Sequence, residues 1–391
     1  MATFVTMDLP KKLQKKIQER IESSSLRKLP ERKTMIDFSS NDYLGLSSET
    51  TIFHRVHEYL IEMDFQQNGA TGSRLISGNH ELYVQVEDFL CDFHQSEAAI
   101  IFNSGYDANV GFFSSVPQRG DVILYDEYAH ASIRDGIQMS RAKSYKFRHN
   151  DLNDLECHLE RVKLSLSKRS REVSETIYVV TESVFSMDGD SPDLQSMCEL
   201  AESYKALLIV DEAHAVGVFG ENGVGLAQDI SEQIFARIVT FGKGLGCHGA
   251  TILGSQQLKQ YLVNFARSFM YTTGLPPHTL ATILFSYQEM IHSNKQDQLR
   301  SNIEFFNKEI IRLKLSEAFI RSDSAIHSCI ISGNENVKVI ATNLQEQGFD
   351  VKPILSPTVP EGQERIRFCL HAENSFDEIT DVLTLLKKFI D

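Results

Sequence analysis

From about residue 80 to residue 255 the chain alternates between short β-rich runs and longer stretches that read as helices, and few folds accommodate that pattern. The runs are AAIIF (98–102), DVILYD (121–126), TIYVVTES (176–183), ALLIVDE (206–212), RIVTF (237–241) and GATILGS (249–255). Between them lie LYVQVEDFLCDF, DLNDLECHLERV and LQSMCELAESY. Strand–helix–strand repetition with such runs predicts an α/β domain on a mostly parallel sheet, whose strands are covered on both faces.

The flanks differ. Residues 8–35 are charged and helix-prone, an amphipathic arm ending at Pro30, and MIDFSSNDYLGL follows as a short strand and turn. The stretch 163–175, KLSLSKRSREVSE, is polar and aperiodic; interleaved acidic residues and the lack of aromatics predict a solvated extension, not a basic binding patch. At YTTGLPPHT (271–279) the chain turns at two prolines into long helical segments. HSCIIS, RIRFCL and the amphipathic FDEITDVLTLLKKF then suggest a smaller α/β domain. The expected organisation is an arm over 1–45, a large domain over 46–275 and a small domain over 276–391.

Charge excludes whole classes of function. The 39 Lys and Arg against 53 Asp and Glu leave a net charge of −14, unlike a nucleic-acid binder or a polybasic membrane-surface protein. The six cysteines (Cys91, Cys157, Cys198, Cys247, Cys329, Cys369) form no C-x-x-C pair and read as reduced thiols. Apolar runs such as Ala206–Val210 fall far short of a membrane span, and the opening MATFVTMDLPKK has no basic flank with an apolar core. A cytoplasmic location is therefore expected.

Five strand ends carry residues suited to chemistry. ALLIVDEAH delivers Asp211 and His214 at the carboxyl end of an apolar strand, where open α/β sheets bind ligands. VDEAH alone also matches the acidic motif of a DEAH-type ATPase, but that needs an upstream phosphate loop ending in Gly-Lys-Ser/Thr. The only Gly-Lys pair is Gly242-Lys243, downstream and followed by Gly244, so the ATPase remains a remote alternative. Lys243 sits among glycines after RIVTF, where an ammonium is costly; a lysine kept neutral by desolvation forms Schiff bases. In NSGYDANVGFF, Ser104, Gly105 and Tyr106 open a helix whose N–H groups and hydroxyl suit a phosphate. VVTESVFSMDGD brings hydroxyls to a strand end, and DEYAHASIRDG puts His130 just past another.

Together these segments resemble the α-oxoamine synthases, pyridoxal-phosphate enzymes of the aspartate-aminotransferase fold (fold type I) that condense an amino acid with an acyl thioester. The likeness runs through NDYLGL, GATGSRLISG, SGYDAN, HASIRDG, VFSMDGD, VDEAHAVGVFGENGVG, TFGKGLG, YTTGLPP and SPTVPEGQERIRF, and the interval of 32 residues from Asp211 to Lys243 fits the family. It is closest to members that join L-alanine to a pimeloyl thioester, carried on coenzyme A or an acyl carrier protein, on the route to biotin. Members that acetylate glycine to 2-amino-3-oxobutyrate or palmitoylate serine share every cofactor residue.

The resemblance implies a role for each residue. Lys243 would carry pyridoxal phosphate as a Schiff base and move the Cα proton. Asp211 would pair with the pyridine nitrogen, His214 and Ser186 with the phenolic oxygen, and His130 would stack on the ring and orient substrate. Ser104, Gly105, Tyr106 and Thr240 would hold the phosphate, joined by Thr272 and Thr273 from the neighbouring subunit of a homodimer. Arg367 would clamp the amino-acid carboxylate, Asn41 and Thr358 would contact substrate, and Arg27 would meet the distal carboxylate of pimelate. No metal is implied. Leu355 stands where some members carry an arginine.

Overall fold

The alternating runs pair as one sheet of seven strands. In the computed structural model, which describes residues 8–27, 29, 34–167 and 175–391, the strands are β1 (Ile36–Asp37), β2 (Ala98–Phe102), β3 (Val122–Asp126), β4 (Lys143–Phe147), β5 (Ile177–Glu182), β6 (Leu207–Asp211), β7 (Ala236–Thr240), β8 (Ala250–Gly254), β9 (Ile326–Ile330), β10 (Phe349–Asp350), β11 (Lys352–Ile354) and β12 (Arg365–Cys369). The large sheet has the order β2-β8-β7-β6-β5-β3-β4. Strands β3 to β7 run parallel, and β8 is antiparallel to both its neighbours. The carboxyl ends of β2, β3, β5, β6 and β7 therefore share one edge.

Alternate side chains feed two cores. The chain's first helices are α1 (Lys11–Glu22), α2 (Thr50–Glu62) and α3 (Glu81–His94). Val180, Ile209 and Ile238 face one layer, containing α4 (Gly105–Ser115) and α5 (Ala131–Met139). Val179, Leu208 and Val210 face the other, with α6 (Leu152–Ser167) and α7 (Leu194–Ser203). Each such side chain contributes about 1.5–3 kcal/mol on burial. Strand β4 escaped sequence reading because it is an edge: of KSYKF only Phe147 is buried, and its lysines discourage pairing with another chain.

Helix α6 corrects the expected extension. Leu155, Leu159 and Val162 seat it in the core, and the helix runs on to Ser167 through residues with no strong breaking tendency. Thus 163–167 are helical; 168–174, like Pro30, lie outside the described residues. In the arm, Lys11–Glu22 is helical without a buried residue. Among the described residues no helix is long and apolar enough to cross a membrane.

The seven-stranded sheet lies within 46–275 and the antiparallel sheet β11-β12-β9 within 276–391. The chain crosses between them early and late, for β1 pairs in parallel with β10, Ile36 opposite Phe349. The third core runs without a break from Val56 and Leu90 to Phe368 and Leu383. This core joins the C-terminal sheet, through Cys329, Ile366 and Phe368, to strands β2, β7 and β8 of the large one, through Ile101, Val239 and Leu253.

Candidate active site

Strand β6 ends in Asp211, whose carboxylate is buried and held at both oxygens. Ala213 N–H donates to Oδ1 at 2.9 Å, and Asn109 Nδ2 donates to Oδ2 at 2.8 Å. Opposite it in register stands Glu182 at the end of β5. Glu182 accepts the His130 backbone N–H at 2.6 Å, and burial, then the Asp211 charge, push its carboxyl up to about 8. His130 caps α5, and its Nδ1 lies 2.8 Å from Ser132 Oγ.

Beyond β7 the chain turns at Gly242 and brings Lys243 Nζ to 2.7 Å from His214 Nε2. Burial pulls the Lys243 ammonium down to about 8, partly opposed by Asp211 and Glu182. His214 Nδ1 lies 2.6 Å from Tyr43 Oη, which donates to Asn41 Oδ1 at 3.2 Å. An ammonium at Lys243 can only donate, so while Nζ is protonated the neutral His214 accepts at Nε2 and gives its Nδ1–H to Tyr43. Burial, then the Lys243 charge, keep this imidazole neutral at ordinary pH.

Asp211, Lys243 and His130 border a cavity of about 250 Å³, which Ser104, Gly105 and Tyr106 also line. Ser104 Oγ caps the Asp107 N–H at 3.1 Å, leaving the first amides of α4 at the open turn. A Cβ on Gly105 would come within 2.5 Å of Thr240 Cγ2, so only glycine lets the helix end approach this wall. An amine, a buried carboxylate and an open helix N-terminus around such a space match the aldehyde, ring nitrogen and phosphate of pyridoxal phosphate.

Arg367 on β12 reaches the same region. Nη2 donates to Asn41 Oδ1 at 2.8 Å and Nη1 to the Ser186 carbonyl at 3.0 Å, and among the described residues no carboxylate pairs with it. Its strand neighbour Arg365 does have one, Asp188. Arg27 Nη2 donates to Thr358 Oγ1 at 3.2 Å, joining the arm to the PTVP turn. Thr358 and Ser186 line a second cavity, of about 560 Å³, which shares His130 with the first. Leu355 packs against the core. Thr272 and Thr273 do not border their own chain's cavity; Asn103 Nδ2 donates to Thr272 Oγ1 at 2.9 Å and to the Thr273 carbonyl at 2.7 Å.

Sequence reading passed over Tyr43, Asn109, Ser132 and Glu182. Each lies inside a quoted motif (NDYLGL, SGYDAN, HASIRDG, VVTES), which was the available signal. The same geometry disposes of the ATPase likeness. Glu212 of VDEAH accepts Arg237 Nε at 3.0 Å and Nη2 at 2.5 Å on Oε2 and the Leu226 and Ala227 amides on Oε1, so both its oxygens are committed to structure.

Comparison with known proteins agrees. Residues 33–385 match the family model for aminotransferase class I and II. The 8-amino-7-oxononanoate synthase of Emericella nidulans is 38% identical over 370 residues, covering 91% of this chain and 89% of that one. Serine palmitoyltransferase from S. paucimobilis, solved with a bound PLP–myriocin aldimine, superposes with a TM-score of 0.84 at 26% identity, over 97% of this chain and 96% of that one. The 8-amino-7-oxononanoate synthase from Francisella tularensis gives 0.74 at 29% identity, over 91% and 98%. The chain belongs to the aminotransferase class I and II family and, within it, to the α-oxoamine synthases.

Proposed function

We propose that this protein uses pyridoxal phosphate to condense an amino acid, L-alanine by preference, with a pimeloyl thioester, giving 8-amino-7-oxononanoate, CO₂ and the free thiol carrier. The observation that carries the chemistry is the Lys243 amine held by His214 above the buried carboxylate of Asp211, in one cavity with an open helix N-terminus. Support for the substrate pair comes from the fungal synthase, similar along nearly its whole length.

Bound pyridoxal phosphate supplies an electron-accepting ring that stabilises negative charge at the amino acid's Cα. In this reading Lys243 Nζ would hold the cofactor, Asp211 would serve its ring nitrogen, and His214 and Ser186 would serve its phenolic oxygen. The Gly105 and Tyr106 amides, with the Ser104 and Thr240 hydroxyls, hold its phosphate. Once released, Lys243 Nζ takes the Cα proton, and an amine titrating near 8 suits that work at neutral pH. Arg367, fixed by Asn41 and the Ser186 carbonyl, directs its remaining N–H groups at the amino-acid carboxylate. Arg27, with Thr358, receives the distal carboxylate of the acyl chain through the larger cavity. Thr272 and Thr273 complete the neighbouring subunit's phosphate site in a homodimer; the exposed ring of Tyr271, next to them in the chain, supports a covered face. Six free cysteines support a reducing compartment, the cytoplasm.

Two measurements test this. Thiol release over alanine, glycine and serine crossed with pimeloyl, acetyl and palmitoyl thioesters should be fastest for alanine with pimeloyl. Serine with palmitoyl is the competing outcome, since the palmitoyltransferase shares the fold and binds PLP. Arg367→Lys should raise the amino-acid KM roughly 10- to 100-fold with a smaller fall in kcat, because an ammonium cannot make two parallel bonds. An unchanged KM removes Arg367 from the carboxylate site.

A further inference from the structure

Asp211 as a carboxylate only accepts hydrogen bonds, so the Asn109 atom 2.8 Å from its Oδ2 must be the amide nitrogen. The price of that orientation is visible: Asn109 Oδ1 is buried without a partner. Turning the amide over would set two oxygens against each other, one of them charged. The same NH₂ sends its second hydrogen to Ser132 Oγ at 3.0 Å. The Ser132 backbone N–H, which can only donate, points at His130 Nδ1 at 3.3 Å and makes that nitrogen an acceptor, and the Ser132 hydroxyl, 2.8 Å from it, still has its own hydrogen to give. Two donors converge on Nδ1. A proton there would face both of them.

We propose that Asn109 and Ser132 are positioning residues that lock the His130 imidazole as the Nε2–H tautomer, so that the ring meets substrate as a hydrogen-bond donor and not as a base. The substrate part of this rests on the condensation reading above, while the tautomer itself stands on Asp211 and the bonds that follow from it. Nε2 has no partner among the described residues, and the ring borders both cavities, so the donor is available where a substrate oxygen would lie. Burial depresses the His130 pKa, which keeps the ring neutral as the chain of bonds requires. The two imidazoles of the site are thus polarised in opposite senses. His214 turns a lone pair at Nε2 toward Lys243, and His130 turns a proton at Nε2 toward the cavities. Each assignment traces back to a charged group that cannot reverse its role, the Lys243 ammonium, which only donates, for His214 and the Asp211 carboxylate, which only accepts, for His130.

The test is magic-angle-spinning ¹⁵N spectroscopy of the full-length protein labelled at histidine, without added substrate. The His130 pair of resonances is identified by its loss in His130→Gln. The wild-type ring should show one bare nitrogen and one protonated nitrogen, with the proton on Nε2. Ser132→Ala should shift the tautomer ratio about fivefold toward Nδ1–H, the effect of losing one hydroxyl hydrogen bond. Asn109→Ala should move it in the same direction, and Ser132→Thr, which restores the hydroxyl, should return it. A wild-type ring carrying its proton on Nδ1 overturns the proposal, and so does a ratio unmoved in both alanine variants. If Ser132→Ala fails to fold, the wild-type spectrum and Asn109→Ala still decide. Absence of thiol release for every substrate pair, with the ring still Nε2–H, would defeat the condensation reading and leave this one standing.

Discussion

Lys243→Ala should end turnover and leave a folded protein that no longer retains pyridoxal phosphate through dialysis. The expected loss in kcat is on the order of 10⁵–10⁶-fold, as when an obligatory nucleophile is removed from other enzymes. Folding should survive, since burial already disfavours the Lys243 charge and an alanine removes that cost. The pH dependence follows from the same burial. The neutral amine is the reactive form, and an ordinary lysine exposes it only near 10.5. Here, in protein stripped of cofactor, trapping of a small aldehyde on Lys243 with borohydride should rise as pH increases through about 8 and level off above it. Peptide mapping should place the label on the TFGKG segment. A label on another lysine, or thiol release retained in the alanine variant, would end the assignment.

Asp211→Asn should cost roughly 10²–10⁴-fold in kcat through loss of the oriented anion. Both oxygens of Asp211 accept N–H donors, from Ala213 and Asn109, so an asparagine must turn its NH₂ toward one of them. That mismatch should also lower stability by about 1–3 kcal/mol, measured by chemical denaturation. Cofactor should still bind through Lys243. Exchange of the alanine Cα proton into deuterated solvent reads the carbanion directly, and near-normal exchange in this variant would contradict the electron-sink role. Asp211→Glu keeps the charge and should retain more exchange than the asparagine variant.

The sheet was legible because strands buried on both faces leave uninterrupted apolar runs, as AAIIF and IYVVTE do. β4 was not, because KSYKF has one buried residue and four that meet solvent. Site residues divide along a similar line. Lys243, Asp211 and His214 stand out because a charged or polar group after a buried strand demands a reason. Asn109 is a single amide inside a helix and Ser132 a single hydroxyl in the first turn of another; neither residue type is unusual there. Their meaning comes only from bonds to Asp211, 102 residues away from Asn109, and to His130. Glu182 reads from sequence as the polar end of a strand. Its importance depends on β5 and β6 being neighbours in register.

The contact between Asn41 and Arg367 spans 326 residues. During synthesis, therefore, the sheet that carries Asp211 and Lys243 is fully translated while the guanidinium that closes the site has yet to emerge. A nonsense or frameshift lesion between those points would yield a polypeptide that has Lys243 but lacks Arg367, and so, on the function proposed above, lacks the group that holds the amino acid's carboxylate. Messenger damage late in the reading frame would be as disabling to the enzyme as damage near its middle.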